Sequence, residues 1–380
     1  MDNNSALYHI NIYTPQELNH SSYIQTGLFG LEKGGFITTS IHMDLRKKLG
    51  TYRTSLNNGN NLNQRPHPKT SLYELKHLQT GKCVKFATDL YDFSDSFSAF
   101  ALEHCDIIFK RNFEQAHVDE LPQQYRRKIK KLGLTFGVHS HEKYDQRKFK
   151  WGMYLSNLNV NLKFDREFVS RLARTVRLQK KHWDFIQKGR YIEQFETYHR
   201  SSENTIMFQT RCFPIDEQKD VQEIHEQRYR ITKLLRKTFP DNFKGGFIPS
   251  PLALKKFPDA ISNVPSEPLE YIAALKNARI VIYTRGLAKS PAWKMAEYLS
   301  QGKVIIAERL TAELPVPLQN EKEVLFFDSD EELIHQIYRV LKDEQLADAL
   351  SNNARMYFEN YIHPKKSVRR IIDIMEKDFL

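Results

Sequence analysis

The stretch Ser290–Ala307 combines residue types that could hold an anionic ligand bearing a diol. Ser290 has the type preferred at a helix N-cap, and Pro291 suits the first helical position. Lys294 and Glu297 follow three residues apart, so they share one face of the predicted helix. A helix N-terminus attracts anions. The lysine adds charge for a phosphate, and the carboxylate can accept hydrogen bonds from two hydroxyls, which is the chemistry needed to hold a nucleoside diphosphate.

The residues after this helix start predict how the helix ends. Gly302 stands where a left-handed residue ends a helix, and the apolar run Val304–Ala307 is typical of a parallel strand buried on both faces. A simpler interpretation is an amphipathic helix whose single lysine and glutamate form a solvated face.

The pattern of Pro291, Lys294, Glu297-Tyr298 and Gly302-Lys303 followed by an apolar strand resembles the donor-site signature P-x-x-K-x-x-E-Y-x-x-x-G-K. That signature is found in group 1-like glycosyltransferases of the GT-B fold, which have two Rossmann-like domains facing across a cleft. In that family the helix carboxylate binds the ribose hydroxyls of a sugar nucleotide, and the helix start faces the diphosphate. The resemblance covers the chain well from about Thr205 onward and only weakly over Tyr8–Val138.

The resemblance implies a set of site residues. Arg211, at the end of the predicted strand Thr205–Arg211, would supply a cation to the diphosphate. The catalytic residues predicted in this way are Asp89, Arg211 and Lys294, and the donor-binding residues are Ser290, Lys294, Glu297, Gly286, Arg285 and Lys289. No metal and no cofactor are predicted, since the nucleotide sugar is itself the donor substrate. Asp328 and Asp330 have metal-ligand spacing but precede a predicted helix, so we interpret them as capping residues.

The sequence offers several candidates for the general base. Val84–Leu90 resembles the family strand that ends in a polar pair, with Thr88 where a histidine often stands and Asp89 at the aspartate. Asp89 is therefore the predicted catalytic or acceptor-binding carboxylate, although an aspartate at a strand exit also commonly forms a cap or turn. Other candidates at predicted strand ends are Asp92, Asp95, His139 and His141.

One departure from the family pattern concerns stereochemistry. Retaining members often carry a second glutamate eight positions before the ribose-binding one, and this chain has Lys289 there. A lysine at that position could contact a phosphate or an acidic sugar. Whether the anomeric configuration is retained or inverted stays open.

The alternation of strand and helix signals predicts an α/β fold with parallel sheets. We expect an N-terminal Rossmann-like acceptor domain over 1–140, a helical insertion or linker over 141–203, a donor domain over 204–360 and a terminal helix over 361–380 that crosses back to the first domain. The insertion, with helical patterns over Phe164–Arg177 and Lys180–Tyr198, could bind the acceptor or simply brace the domains. Disorder is predicted around Leu56–Lys69. Predicted first-domain strands are Tyr8–Tyr13, Phe36–His42, Cys83–Thr88, Cys105–Phe109 and Lys131–Val138.

The 380-residue chain has a formal net charge of +11, which calls for an anionic partner: nucleic acid, a membrane surface or an anionic substrate. No nucleic-acid recognition motif is visible, and we expect no nucleic-acid partner. Membrane attraction through Arg126–Lys131 is the preferred functional interpretation, and a solvated helix face is the alternative. Three scattered cysteines fit a reduced, cytoplasmic chain. We also expect no signal peptide and no membrane span.

The leading hypothesis is therefore a glycosyltransferase that moves a hexosyl or deoxyhexosyl unit from a nucleotide sugar to a glycan, including a lipid-linked glycan of surface polysaccharide biosynthesis. Its expected location is the cytoplasm or the inner face of the membrane. The alternative is a basic scaffold without catalytic activity that binds nucleic acid or anionic lipid. The presence of Lys294, Glu297 and Gly302 together with Arg211 favours the glycosyltransferase over the scaffold.

Overall fold

The computed structural model describes residues 6–44, 46–55, 60–140, 164–187, 190–198, 201, 203–214 and 217–380. The chain forms two compact units. Unit 1 comprises Met1–Ile192, Ala312–Pro315 and His363–Leu380, and unit 2 comprises Glu193–Thr311 and Val316–Ile362. Each unit is built on a β-sheet connected by helices, which confirms the predicted α/β class with two Rossmann-like units. Residues 141–163 of the predicted insertion, including the candidate base His141, lie outside the described residues.

The described part of unit 1 contains two sheets. Its strands are β1 (Tyr8–Thr14), β2 (Ile37–Met43), β3 (Leu49–Arg53), β4 (Asn60–Pro66), β5 (Thr70–His77), β6 (Cys83–Asp89), β7 (Ser96–Ser98), β8 (Ile107–Lys110) and β9 (Ile129–Lys131). The larger sheet has the order β2-β1-β5-β6-β8-β9, and the smaller one has the order β4-β3-β7. β5 runs antiparallel to both β1 and β6, while the other neighbours in the larger sheet are parallel. This exception to the predicted parallel sheet arises because the short connection 78–82 allows only an antiparallel pairing of β5 with β6.

Two further predictions for unit 1 are wrong. The predicted strand Lys131–Val138 shares only Lys131 with β9, because β8 ends at Lys110, the pairing partner of Lys131, and offers no further residue to pair with. The stretch Leu56–Lys69, where disorder is predicted, includes β4, which pairs with β3 in the smaller sheet.

The described part of unit 2 contains five strands in one parallel sheet. They are β10 (Ile206–Thr210), β11 (Phe243–Phe247), β12 (Ile280–Tyr283), β13 (Val304–Ala307) and β14 (Leu325–Phe326), in the order β11-β10-β12-β13-β14. Every residue of β10, β12 and β13 is buried. Near-continuous apolar strands of this kind are expected where helices cover both faces of a parallel sheet.

The described part of the chain contains thirteen α-helices. They are α1 (Leu18–Lys33), α2 (Ala99–His104), α3 (Gln115–Asp119), α4 (Gln123–Arg126), α5 (Phe168–Gln187), α6 (Ile192–Glu196), α7 (Lys219–Thr238), α8 (Pro251–Lys256), α9 (Pro268–Asn277), α10 (Trp293–Ser300), α11 (Asp330–Lys342), α12 (Glu344–Tyr357) and α13 (Pro364–Phe379). The predicted break between Arg177 and Lys180 is wrong, since α5 runs through both residues. None of the described helices is long and apolar enough to span a bilayer.

The helix α13 belongs to unit 1, where it packs against α1. The contact is closest at Gly27, where an added Cβ would lie 2.4 Å from the carbonyl oxygen of Pro364. A side chain at that position would therefore force the two helices apart.

Candidate active site

The candidate site lies at the carboxyl edge of the unit 2 sheet, where the strand order reverses. The chain passes from β10 to β11 on one side and then returns to β12 on the other side of β10. Ligands of open α/β sheets bind in the crevice outside the strand ends at such a reversal. Arg211 directly follows β10, and Thr284 and Arg285 directly follow β12. The predicted cation and the predicted donor loop therefore leave the sheet from its two central strands.

The donor loop is a tight turn. The Gly286 N–H donates to the carbonyl of Ser290 over 2.9 Å, and the Ser290 N–H donates to the carbonyl of Leu287 over 3.0 Å. Ala288 and Lys289 both have left-handed φ values, 52° and 56°. The Asp220 carboxylate, in the first turn of α7, accepts from the Ala288 N–H over 2.8 Å. These contacts hold the predicted residues Gly286, Lys289 and Ser290 in one fixed turn.

The predicted N-cap role of Ser290 is wrong. α10 begins at Trp293, and its N-cap is Ala292. Ser290 is buried, and its carbonyl accepts a hydrogen bond from the Gly286 N–H. Ser290 is therefore part of the turn and lies before the helix. The Ala292 N–H donates to the phenolic oxygen of Tyr283 over 2.9 Å, which joins the helix start to β12.

Lys294 and Glu297 lie one turn apart on α10, as predicted. The Lys294 ammonium donates to the hydroxyl of Tyr271 over 3.0 Å and lies 4.4 Å from the centre of the Tyr271 ring. Glu297 is only 4% exposed. A carboxylate buried to this extent costs free energy unless hydrogen bonds or opposite charge offset the lost hydration. Such a group is uncommon on a helix face that serves only solubility, which argues against the simpler interpretation of this helix.

The end of α10 matches the sequence pattern. Gly302 has a φ of +52°, the left-handed conformation predicted for the residue that stops the helix. The Lys303 ammonium donates to the carbonyl of Lys276 at the end of α9 over 2.6 Å. Burial, together with the nearby charge of Lys276, lowers the pKa of Lys303 to about 8. Lys303 therefore fixes the end of α9 from inside the unit.

The remaining predicted donor residues differ in their surroundings. Arg211 is exposed. The Arg285 guanidinium contacts the carboxylates of Asp220 and Glu223, and the Arg285 N–H donates to Glu308 over 2.9 Å. Arg285 thus contributes to holding the turn, and its predicted contact with the donor stays a prediction. The carbonyl of Lys289 accepts from the Thr311 hydroxyl over 3.1 Å.

Arg228 is a residue of this site that the sequence pattern did not single out. Arg228 is 5% exposed, and it donates to the carbonyl of Arg211 over 2.7 Å and to that of Arg285 over 3.1 Å. A signal for this was present in the sequence. The buried residues Val221, Ile224, Ile231 and Leu235 recur at helical spacing, and Arg228 continues that stripe.

In unit 1, Asp89 lies at the end of β6 as predicted, but it is completely buried. The Lys110 ammonium donates to its carboxylate over 3.1 Å and also to the carbonyls of Phe93 and Ser96. Burial by itself raises the pKa of Asp89, but the charge of Lys110 and the contact with His67 outweigh burial and hold that pKa well below its ordinary value. In this conformation Asp89 fixes Lys110 and the loop after β6, and a direct contact with an acceptor stays a prediction.

The other carboxylates at this edge are also engaged. Asp92 contacts Arg111 and Lys69, and its side chain is 21% exposed. Asp95 contacts Ser55, Ser96 and Arg53. His139 forms an isolated bridge with Tyr191.

The segment Asp328–Asp330 lies at a helix start as predicted, but the capping side chain is that of Ser329 and not of either aspartate. The two aspartates flank Ser329, the N-cap of α11, which accepts from the Glu332 N–H over 3.1 Å. Across the described residues, no group of three or more His, Cys, Asp or Glu side chains could hold a metal ion.

Comparison with protein families confirms the resemblance for part of the chain. Residues 255–373, less than half of the sequence, match the family model described as glycosyl transferase-like. The matched residues include the 285–290 turn and α10. No curated protein sequence matches the chain.

Three solved structures are similar to parts of this chain. The C-terminal domain of a glycosyl transferase group 1 family protein (LpcC) from Francisella tularensis is 15% identical, with 43% of this chain and 87% of that chain covered and a TM-score of 0.29. Alr3699/HepE from Anabaena, solved in complex with UDP-glucose, is 10% identical, with 73% and 80% covered and a TM-score of 0.36. Sucrose-phosphate synthase from Thermosynechococcus elongatus is 11% identical, with 74% and 76% covered and a TM-score of 0.37.

Proposed function

We propose that the protein is a glycosyltransferase that moves a hexosyl or deoxyhexosyl unit from a nucleotide-sugar donor to a glycan acceptor. The observation that supports this most strongly is the pair Lys294 and buried Glu297 on α10, within the region that matches a glycosyl transferase-like family. Glu297 would accept hydrogen bonds from the ribose hydroxyls. The diphosphate would lie at the strand reversal, near Arg211 and the 285–290 turn.

The proposed reaction breaks the bond between the anomeric carbon and the diphosphate oxygen, which leaves with the electron pair. The acceptor hydroxyl oxygen forms the new bond to that carbon and releases its proton. Negative charge therefore grows on the diphosphate in the transition state, and Arg211 and Lys294 would stabilise it. Because side chains of the protein supply this charge, we propose a transfer that needs no metal. Retention and inversion both remain open, since Lys289 replaces the second glutamate of retaining relatives.

The acceptor is proposed to bind unit 1 at the carboxyl ends of β6 and β8. Hydroxyl-bearing ligands are held by polar side chains of fixed position, and Asp89, Lys110 and Arg111 are all buried and hydrogen-bonded there. Asp92 is the partly exposed carboxylate of this group. We propose that Asp89 acts by orienting these neighbours.

A lipid-linked acceptor at an anionic membrane surface is a further part of the proposal. The structure changes the choice of the cations involved. Lys128 donates to carbonyls at the end of α2, Lys130 contacts Asp378 and Lys131 contacts Glu313, so these cations serve the fold of unit 1. Arg126 and Arg127 are exposed, and α5 adds Arg174, Arg177 and Lys180, the three exposed cations to which we assign the membrane contact.

Binding of nucleoside diphosphates tests the proposed function. UDP, GDP, ADP and CDP would be titrated into the wild-type protein by calorimetry, followed by Glu297→Gln with the best ligand. Loss of a charge-assisted hydrogen bond predicts an affinity about 10- to 100-fold lower. Glu226→Gln, an exposed carboxylate of α7, serves as the control and should bind as the wild type does.

Failure of the wild type to bind any of the four nucleotides would refute the proposed function. Unchanged affinity in Glu297→Gln would remove the ribose contact from it. Nucleotide binding without any sugar transfer, combined with binding to anionic vesicles, would favour the basic scaffold.

A further inference from the structure

The loop that carries Arg211 is held by two side chains of α7. The Phe213 N–H donates to Nε2 of His225 over 2.8 Å, and Nη1 of Arg228 donates to the carbonyl of Arg211 over 2.7 Å. His225 and Arg228 are three residues apart, so they project from the same face of the helix. Both are almost completely buried. The backbone on either side of Cys212 is thus fixed by two hydrogen bonds from one helix.

Arg228 also reaches the second loop at the strand reversal. Its Nη2 donates to the carbonyl of Arg285 over 3.1 Å. One guanidinium therefore links the exits of β10 and β12, between which the crevice opens. The same guanidinium lies 5.1 Å from the centre of the Phe213 ring. The fork of Arg228 suits this task because its nitrogens point in fixed directions within one plane.

The charge of Arg228 is offset weakly by its surroundings. Among the described residues, Arg228 contacts two carbonyls and an aromatic ring, no carboxylate lies within ion-pair distance of it, and its buried Nε has no hydrogen-bond partner. Burial is the main cause that lowers the pKa of Arg228 to about 10; the neighbouring Arg285 charge acts in the same direction, and Tyr283 and Glu308 act in the opposite one. Arg228 still carries its charge at neutral pH.

A buried cation without a carboxylate is costly for a fold, and an apolar side chain of similar length could fill the same space. An anion bound in the crevice would offset that cost. Arg236, two turns further along α7, provides a contrast. It also donates to backbone carbonyls, those of Gly245, Asp259 and Ile261, but these belong to β11 and the segment after α8.

We propose that His225 and Arg228 are positioning residues for the donor diphosphate. They hold the backbone of Arg211 and Arg285 so that the crevice between the two loops fits a diphosphate, and the Arg228 charge adds to the positive potential there. The inference rests on the proposed function and extends it to two residues that do not belong to the donor-site signature.

The experiment compares Arg228→Met, Arg228→Lys and the control Arg236→Met with the wild type. Inorganic pyrophosphate and the best-binding nucleoside diphosphate are the probes, and affinity is measured by calorimetry at two salt concentrations. Unfolding by urea is followed in parallel. Arg228→Met should bind both probes about 10- to 100-fold more weakly, with a smaller salt dependence. Arg228→Lys keeps the charge, so it should retain most of the affinity but lose turnover, because an ammonium cannot span both carbonyls.

His225 is tested by its ability to accept a hydrogen bond. His225→Gln keeps an acceptor and should stay within about threefold of wild-type turnover, whereas His225→Leu should lose about tenfold. Rescue by glutamine separates this role from simple packing, since leucine fills the space equally well.

The outcomes separate the inference from the proposed function. A wild type that binds none of the probes would overturn both. A wild type that binds, together with an Arg228→Met variant of equal affinity, would overturn only the inference. The same holds if Arg236→Met loses as much affinity as Arg228→Met, because affinity would then follow stability alone.

Discussion

The carboxyl edges of the two sheets hold charge in different ways. In unit 1 the charged residues pair with each other: Asp89 contacts Lys110 over 3.1 Å, and Asp92 contacts Arg111 and Lys69. In unit 2 the buried Arg228 donates to two carbonyls, and its guanidinium makes no ion pair with a described carboxylate. The carboxylates of one edge are therefore held by ion pairs, whereas the buried guanidinium of the other edge is held by backbone dipoles.

This difference suggests a division of tasks. Paired charges fix polar side chains in place while leaving little net field, which suits the recognition of neutral hydroxyls. A cation held by dipoles keeps its field, which suits a diphosphate. The comparison therefore supports an acceptor in unit 1 and a donor in unit 2, and three variants test it.

The largest effect is expected on the stability of unit 1. Asp89→Asn leaves Lys110 buried without its carboxylate, which should lower the free energy of unfolding by about 3–5 kcal/mol. Urea unfolding measures this, with Glu103→Gln, an exposed carboxylate of α2, as the control. Nucleotide affinity at low urea should stay unchanged. A loss below 1 kcal/mol would mean that the Asp89–Lys110 pair does not fix this edge.

The same pair predicts a dependence of stability on pH. The pKa of Asp89 is held below its ordinary value of 3.8, so the unfolded state binds the proton more readily than the folded state. The stabilisation is complete above that value and is lost as the pH falls below it. Urea unfolding between pH 6 and about pH 3 should show a steeper loss for the wild type than for Asp89→Asn.

The second largest effect is expected on turnover, in variants of two cations of unit 2. Lys294→Ala and Arg211→Ala should each lower the rate of sugar transfer by about 10²- to 10³-fold, because charge on the leaving diphosphate grows toward the transition state. Donor affinity should fall less than turnover. Lys255→Ala in α8 is the exposed control. Near wild-type rates in both variants would show that neither cation acts on the leaving group.

The smallest effect concerns the membrane. Each cation near an anionic surface contributes about 1 kcal/mol, and salt screens the contribution. Reversing the charges of Arg174, Arg177 and Lys180 in α5 should release the protein from phosphatidylserine vesicles in co-sedimentation at low salt, without changing nucleotide affinity. The matched control reverses three exposed lysines of unit 2: Lys237, Lys244 and Lys255. Equal binding by both triple variants, or binding that ignores salt, would exclude α5 as the contact.

Local patterns in the sequence were sufficient for the elements of unit 2. The apolar runs of β10, β12 and β13 and the stop at Gly302 follow directly from residue type and spacing. The predicted start of α10 at Ser290 was wrong because the Ser290 carbonyl accepts a hydrogen bond from the Gly286 N–H. This contact depends on the three-dimensional turn and cannot be read from residue types and spacing.

Contacts between side chains that are distant in the sequence could not be predicted. Lys110 follows Asp89 by 21 residues, and only the parallel register of β6 with β8 places them opposite each other. Arg285 is likewise linked to Arg228 across 57 positions. The apolar stripe of α7 gave the only local signal that Arg228 is buried.

The path of the chain through the two units has a consequence for synthesis on the ribosome. The surface of α1 that includes Gly27 is covered by α13, which is translated only after unit 2. At about 5–20 residues per second, that surface stays open for tens of seconds. Unit 2, by contrast, can complete its parallel sheet as soon as β14 emerges. The second unit to begin synthesis is thus the first whose main contacts can all be made, and a nascent chain stalled before residue 363 should present α1 to chaperones.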